Sequence, residues 1–282
     1  MPDANHSQQV PTMPPLSLKL WLALGVAATT LPASGLRASA QQAPACDVQA
    51  TLEAARADAA LQGEAGEAGE SGGDAEAELA EALQNLAADL AAADAALAAG
   101  RPDDAATLFG FALDESYHRV DARLRATGGK GFEPVLAALA EAAQQRAPDL
   151  PARRAAASQA IDALLAQAPG AGTAPAQLGA GMQLLNRAVA DWGMAVACGE
   201  IGDAMAAWQA RAAAVRGLAL MRGAAAELQS ISPDSAAEML REIEGMLAAM
   251  PAVPHEGAAA VAPSVLTAAS SRALLAAGDL AR

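Results

Sequence analysis

Aromatic rings are scarce in this chain: three Trp, three Phe and one Tyr serve 282 residues. A core must therefore be filled by small aliphatic side chains, chiefly Ala and Leu, which favour helices with narrow contact faces over sheets. The alternation of apolar and polar residues that marks strands is nearly missing as well. Lysine occurs only at Lys19 and Lys130 and every other cation is Arg, a usage that points to a high-GC bacterial genome. With 18 Lys and Arg against 32 Asp and Glu, the formal charge is -14. Such a chain repels phosphate backbones, so no nucleic-acid partner is expected. Histidine is rare too, and beyond residue 40 only His118 and His255 remain. No paired general acid and base can be placed on so few groups, and the chain is read as non-enzymatic.

What is present begins with Lys19, the apolar run Leu20 to Leu36, Arg37, and the small-residue triplet Ala38-Ser39-Ala40. A positive flank, an apolar run and an A-x-A site are the physical elements of a secretory signal peptide, which predicts residues 1–40 as the leader and Gln41 as the mature start. The run contains Thr29, Thr30, Pro32 and Ser34 and is short for the roughly 20 residues a bilayer span takes. No stable membrane span is expected after cleavage, and the product is placed in the periplasm or outside the cell. Loss of Asp3, Lys19 and Arg37 takes the formal charge from -14 to -15. In an oxidising compartment the two cysteines, Cys46 and Cys198, are candidates for one disulfide. Closing a loop of that length stabilises by up to roughly 5 kcal/mol if the native geometry is unstrained.

Periodicity predicts an all-α fold of antiparallel helical bundles, arranged as two helical-hairpin halves. A short helix is expected from Asp47 to about Leu61. Residues 62–73 form an acidic Gly/Glu linker that has no apolar surface to bury. Leu79, Leu83, Leu86, Leu90 and Leu97 then make one seam ended by Gly100. Pro102 opens a helix to about Arg125 with Phe109, Leu113, Tyr117, Val120 and Leu124 on one face, and helices at 134–146 and 151–168 complete a first domain, residues 41–168. The Pro- and Gly-rich stretch 169–175 begins the second, residues 169–282. There Leu178, Met182, Leu185, Val189, Trp192 and Val196 form the cleanest seam, stopped by Gly199. Asp203 caps a partner helix with Met205, Trp208, Ala212, Val215 and Ala219 inward, and Ser232-Pro233 starts a third before an Ala-rich tail. The turns 100–104 and 199–203 share a glycine, a closing Asp and an aromatic at the same offset, the mark of a weak duplication.

Few motifs carry chemistry. Gly69-Glu70-Ser71-Gly72-Gly73 spells the hydrolase turn G-x-S-x-G but sits inside the Gly/Glu repeat with no histidine base. Asp114, His118 and Asp121 fall at i, i+4 and i+7 of a helix, with Glu115 three residues before His118, a set of oxygen and nitrogen donors suited to Fe, Cu or Zn. Against that stands a plain solvated face in which Arg119 and Arg123 pair with the acids. A di-iron bundle is excluded, because the helical body has no second Glu-x-x-His. Residues 100–113 fit the second helix of a tetratricopeptide repeat, yet nothing recurs at about 34 residues. The methionines beyond Met182 lie at helical spacing beside Leu and read as core filler.

Leu184-Leu185-Asn186-Arg187-Ala188-Val189-Ala190-Asp191-Trp192-Gly193-Met194-Ala195-Val196-Ala197-Cys198-Gly199-Glu200-Ile201 resembles the L-L-x-x-x-A-V-D-Y-x-x-A-V-x-x-G-x-V hairpin of the periplasmic helical domains of bacterial high-affinity iron permeases. Ala112 to Ala126 is similar to that family's A-Y-L-x-x-F-E-x-V-E-x-x-L-R-A helix. The resemblance implies a transition-metal role, iron first, with Tyr117 in the aromatic place and His118 and Asp121 in the two glutamate places; by their position on the same helix, Glu115 and Asp114 would complete or tune that site. It also implies an iron permease, or another periplasmic protein, as partner. The family's later acidic and tyrosine places fall near Ala206, Ala207 and Gln209, and the multi-span permease is absent. The expected function is thus an exported accessory protein that binds or delivers iron. The alternative is a tetratricopeptide-like interaction module of the periplasm.

Overall fold

In the computed structural model, residues 47–53, 75–168 and 170–280 are described. The predicted leader, Cys46 and the acidic linker lie outside them. The fold is all-α, as the seams predict. The helices are α1 (Ala75–Ala98), α2 (Pro102–Phe111), α3 (Tyr117–Ala126), α4 (Glu133–Gln144), α5 (Leu150–Leu165), α6 (Ala174–Ala195), α7 (Ala204–Ile231), α8 (Pro233–Ala249) and α9 (Pro263–Leu280). Among the described residues no helix is long and apolar enough to cross a membrane.

Start signals work locally. Asp203 accepts a bond from the Ala206 N–H at 3.1 Å and opens α7, and the Ser232 hydroxyl accepts from the Ser235 N–H ahead of Pro233 and α8. Gly100, with φ +73°, closes the α1–α2 turn in a conformation that glycine enters without strain.

The helices pack around two clusters of buried side chains. The amino-terminal cluster joins Leu83, Leu86 and Leu90 of α1 to Leu108, Phe109, Tyr117, Leu124, Leu136 and Ile161. The carboxy-terminal cluster is built on Leu184, Leu185 and Trp192 of α6, Met221 of α7, Met239 and Ile243 of α8 and Leu266 of α9. Each borrows from the other side: Ala88 of α1 belongs to the carboxy-terminal cluster, whereas Trp208 and Ala212 of α7 belong to the amino-terminal one. The central pair α6–α7 crosses where Gly181 and Gly217 meet. A Cβ on Gly217 would stand 3.0 Å from the Gly181 carbonyl oxygen, and one on Gly181 would stand 2.9 Å from Met221 Cγ.

Three local features depart from the expected pattern. The helix expected to run unbroken from 102 to 125 contains a π turn, Ala112–Ser116, closed by the Tyr117 N–H on the Ala112 carbonyl. Val196, read as the last residue of the α6 seam, is instead extended, because Val196–Ala197 and Glu200–Ile201 pair as a small antiparallel ladder. Its two-residue loop, Cys198-Gly199, has φ +57° and +80°, the positive pair that a tight hairpin of matching twist requires. Residues 257–260 add to its edge through Gly257 N–H to the Ile201 carbonyl and Ile201 N–H to the Ala258 carbonyl, both 2.8 Å. Val215 and Ala219, both placed inward by the periodicity, are exposed, Val215 by 47%, since α7 turns that side away from both clusters.

Candidate functional site

The π turn decides where the sequence-predicted donors fall. One extra residue in a helical turn rotates everything after it, so the α-helical spacing of Asp114 to His118 no longer stacks them. Asp114, Glu115 and His118 are exposed. Asp114 and Glu115 line one shallow hollow with Thr107, Gly110, Phe111 and Gln144. Asp121 is half-buried and bridges Arg125 at 2.5 Å. Among the described residues no three His, Cys, Asp or Glu side chains are grouped so as to hold a metal ion. Cys198 is disulfide-bonded, while Cys46 lies outside the described residues. The helical turn at 48–53 packs on the same hairpin, for a Cβ on Gly202 would stand 2.7 Å from Leu52 Cδ1 and 2.8 Å from Val48 Cγ1.

Tyr117, the aromatic of the resemblance, is buried and braces a loop. Its hydroxyl accepts the Phe132 N–H at 2.8 Å, and its ring meets Phe132 edge-on with centroids 4.9 Å apart. Burial pushes its hydroxyl pKa up, against the pull of the Phe132 and Glu133 backbone N–H groups. Gly131 has to lack a side chain, because a Cβ there would stand 2.5 Å from that hydroxyl.

The side chains that converge most closely are others. Asn85 and Asp89 lie one turn apart on α1, and Arg187 and Asp191 one turn apart on α6. The Arg187 guanidinium bridges both Asp89 oxygens through its two terminal nitrogens. It also donates from Nε to Asp191 Oδ2 at 3.2 Å and from Nη1 to the Asn85 carbonyl at 3.3 Å. From the π turn, the Ser116 hydroxyl donates to Asp89 Oδ2 at 2.5 Å. Asp89 is fully buried and Asp191 is 9% exposed. Burial pushes the Asp191 carboxyl up to about 6; Arg187 pulls it down, Asp89 raises it, and Arg119 of α3 lowers it. Burial works to lower the Arg187 pKa, yet the two carboxylates raise it overall. Beside this cluster, Arg216 of α7 donates to Gln84 Oε1 of α1 at 2.9 Å. Sequence reading passed over this constellation. Its trace was present: Asp89 sits between Leu86 and Leu90 of a buried seam, and Arg187-x-x-x-Asp191 is an ion pair at i, i+4 on another.

The other prominent feature is an apolar cleft of about 400 Å³ between the start of α6, the end of α7 and the end of α9. Leu178, Met182, Leu228, Ile231 and Leu274 line it, and Glu227 is the one acid on its described wall. Ile231 is 54% exposed. At Gly179 and Gly278, which also line the cleft, an added Cβ would meet nothing within 4 Å.

Compared with protein-family models, with curated proteins and with solved structures, the chain has no match.

Proposed function

We propose that this chain is an exported, non-enzymatic helical interaction module that seats an apolar segment of a periplasmic protein in the cleft between α6, α7 and α9. The observation that carries the reading is the cleft itself. Its volume of about 400 Å³ lies within the range of roughly 300 to 1,000 Å³ typical of pockets that hold ligands. Leaving Ile231 half in water beside Met182 and Leu274 costs stability that a partner would recover by covering them. Glu227 at the edge favours a partner with a cationic residue beside its apolar one.

A photo-crosslinking residue in place of Ile231, in cells exporting the chain, tests the reading. Adducts with one protein are expected, and Gly278→Leu, which adds an apolar side chain at a cleft position where a Cβ meets nothing within 4 Å, abolishes them while leaving the helical signal intact. Absence of adducts, or adducts indifferent to Gly278→Leu, counts against it.

Iron delivery is a second reading. The resemblance to iron-permease domains supports it, with His118, Asp121, Glu115 and Asp114 as the donors. Titration calorimetry with Fe(II), Fe(III), Cu(II) and Zn(II) on the wild type and on His118→Ala is the measurement. Binding lost in the variant supports delivery, and silence from all four metals removes it. Any affinity should weaken from pH 7.5 to 5.5, because protons compete with the metal for an imidazole, which binds only when neutral.

A further inference from the structure

We propose that Asp89, Arg187, Asp191 and Ser116 form a proton-operated latch that clamps α1 and the π turn to α6 when the surroundings acidify. The cluster holds two carboxylates against one guanidinium, so with both acids ionised it carries one uncompensated negative charge in a nearly dry place. Such a charge is costly, and the cheapest remedy is one bound proton. Every element packed around Asp191 bears on where the proton goes. On its own helix Arg187 donates to it; from α1, Asp89 repels it while Asn85 offers only neutral groups that Arg187 has engaged; from α3, Arg119 attracts it. Asp89 has the better partners, with both oxygens on Arg187 and a second bond from Ser116. Asp191 has the single 3.2 Å bond to Nε. The proton therefore settles on Asp191, in keeping with a carboxyl raised well above its ordinary range. The uptake needs no other reactant: solvent supplies the proton and the carboxylate becomes a neutral acid.

The latch adds a polar tie to α1, whose entry into the carboxy-terminal cluster is the small side chain of Ala88. Ser116 can reach Asp89 only because the π turn swings it inward, so the hydroxyl, the Asp89 carboxylate and Arg187 make one chain of bonds from α2–α3 through α1 to α6. A neutral trio holds this chain together, and an excess negative charge loosens it. The consequence is a protein whose amino-terminal helices sit more firmly on the α6–α7 pair at pH 5 than at pH 7.5.

Hydrogen–deuterium exchange at pH 7.5 and 5.0, corrected for intrinsic exchange, measures the clamp on the full mature chain. In the wild type, amides at 85–93 and 112–117 should exchange about tenfold more slowly at the lower pH, a factor that corresponds to about one unit of proton linkage. Asp191→Asn, which keeps an oxygen for Arg187 and removes the charge, should be protected equally at both. Asp89→Asn leaves Asp191 as the sole counter-ion, and the acid-induced protection should vanish. Equal wild-type protection at the two pH values, or an unchanged response in Asp191→Asn, overturns the proposal. If a variant does not fold, a carbon-13 titration of the Asp191 carboxyl in the wild type decides: a midpoint between 5 and 7.5 supports the latch, and one outside that window overturns it.

Discussion

Two buried tryptophans differ by one hydrogen bond. The Trp192 indole N–H donates to the Val261 carbonyl at 3.1 Å and ties α6 to the segment before α9. The Trp208 indole nitrogen finds no acceptor among the described residues. Both rings are essentially closed to solvent, at 0% and 1% exposure, so their apolar contributions are alike. Truncation of Trp192 to Ala should cost about 3 to 5 kcal/mol, the range for a large buried aromatic. Trp-to-Phe separates them: at position 192 it strands a partly buried carbonyl, whereas at 208 it relieves an unbonded donor. Trp192→Phe should therefore be less stable than Trp208→Phe by about 0.5 to 1.5 kcal/mol in urea unfolding, the net contribution of a typical hydrogen bond. Equal losses would mean that the Val261 carbonyl finds another donor.

Helices were legible because their evidence is local and periodic. The Leu79 to Leu97 seam, the Leu178 to Trp192 seam and the Asp203 and Ser232 caps each lie within one element, and each is present as read. What was not legible depends on contacts between elements. A π turn at 112–116 has no composition of its own; it exists where Ser116 gains Asp89, 27 residues away in sequence. That one insertion breaks the ideal-helix spacing from Asp114 to His118, whereas His118 and Asp121 keep theirs within α3. The hairpin at 196–201 escaped for a related reason. Glycine at 199 was read as a helix stop, but Cys198 also takes a positive φ, and the extended Val196 is secured by pairing with Ile201 and, at the far edge, by residues 257–260. Close helix approach was equally silent. Gly181 and Gly217 are ordinary glycines in sequence, and only the α6–α7 crossing gives their missing side chains a purpose.

At the scale of the whole molecule, an Ala-rich chain hides which seams share a core, because alanine faces are nearly interchangeable. On α1, Ala88 serves the carboxy-terminal cluster, and Ala92, one turn later, serves the amino-terminal one. This exchange has a thermodynamic consequence. If α1 leaves, the carboxy-terminal cluster loses Ala88, Arg187 loses Asp89, and Arg216 loses Gln84. If α7 leaves, the amino-terminal cluster loses Trp208 and Ala212. Neither set of helices can unfold without exposing apolar surface and unpaired charge in the other, which is the condition for a single cooperative transition. Scanning calorimetry of the chain should give a calorimetric enthalpy close to the van't Hoff value, with helical circular dichroism and tryptophan fluorescence melting together. Trp208→Ala should lower that one transition by roughly 6 to 20 °C, the shift that about 3 to 5 kcal/mol produces in a chain of this size. Two resolved transitions, with only the earlier one moved by Trp208→Ala, would show instead that the clusters fold separately and that α1 and α7 merely touch.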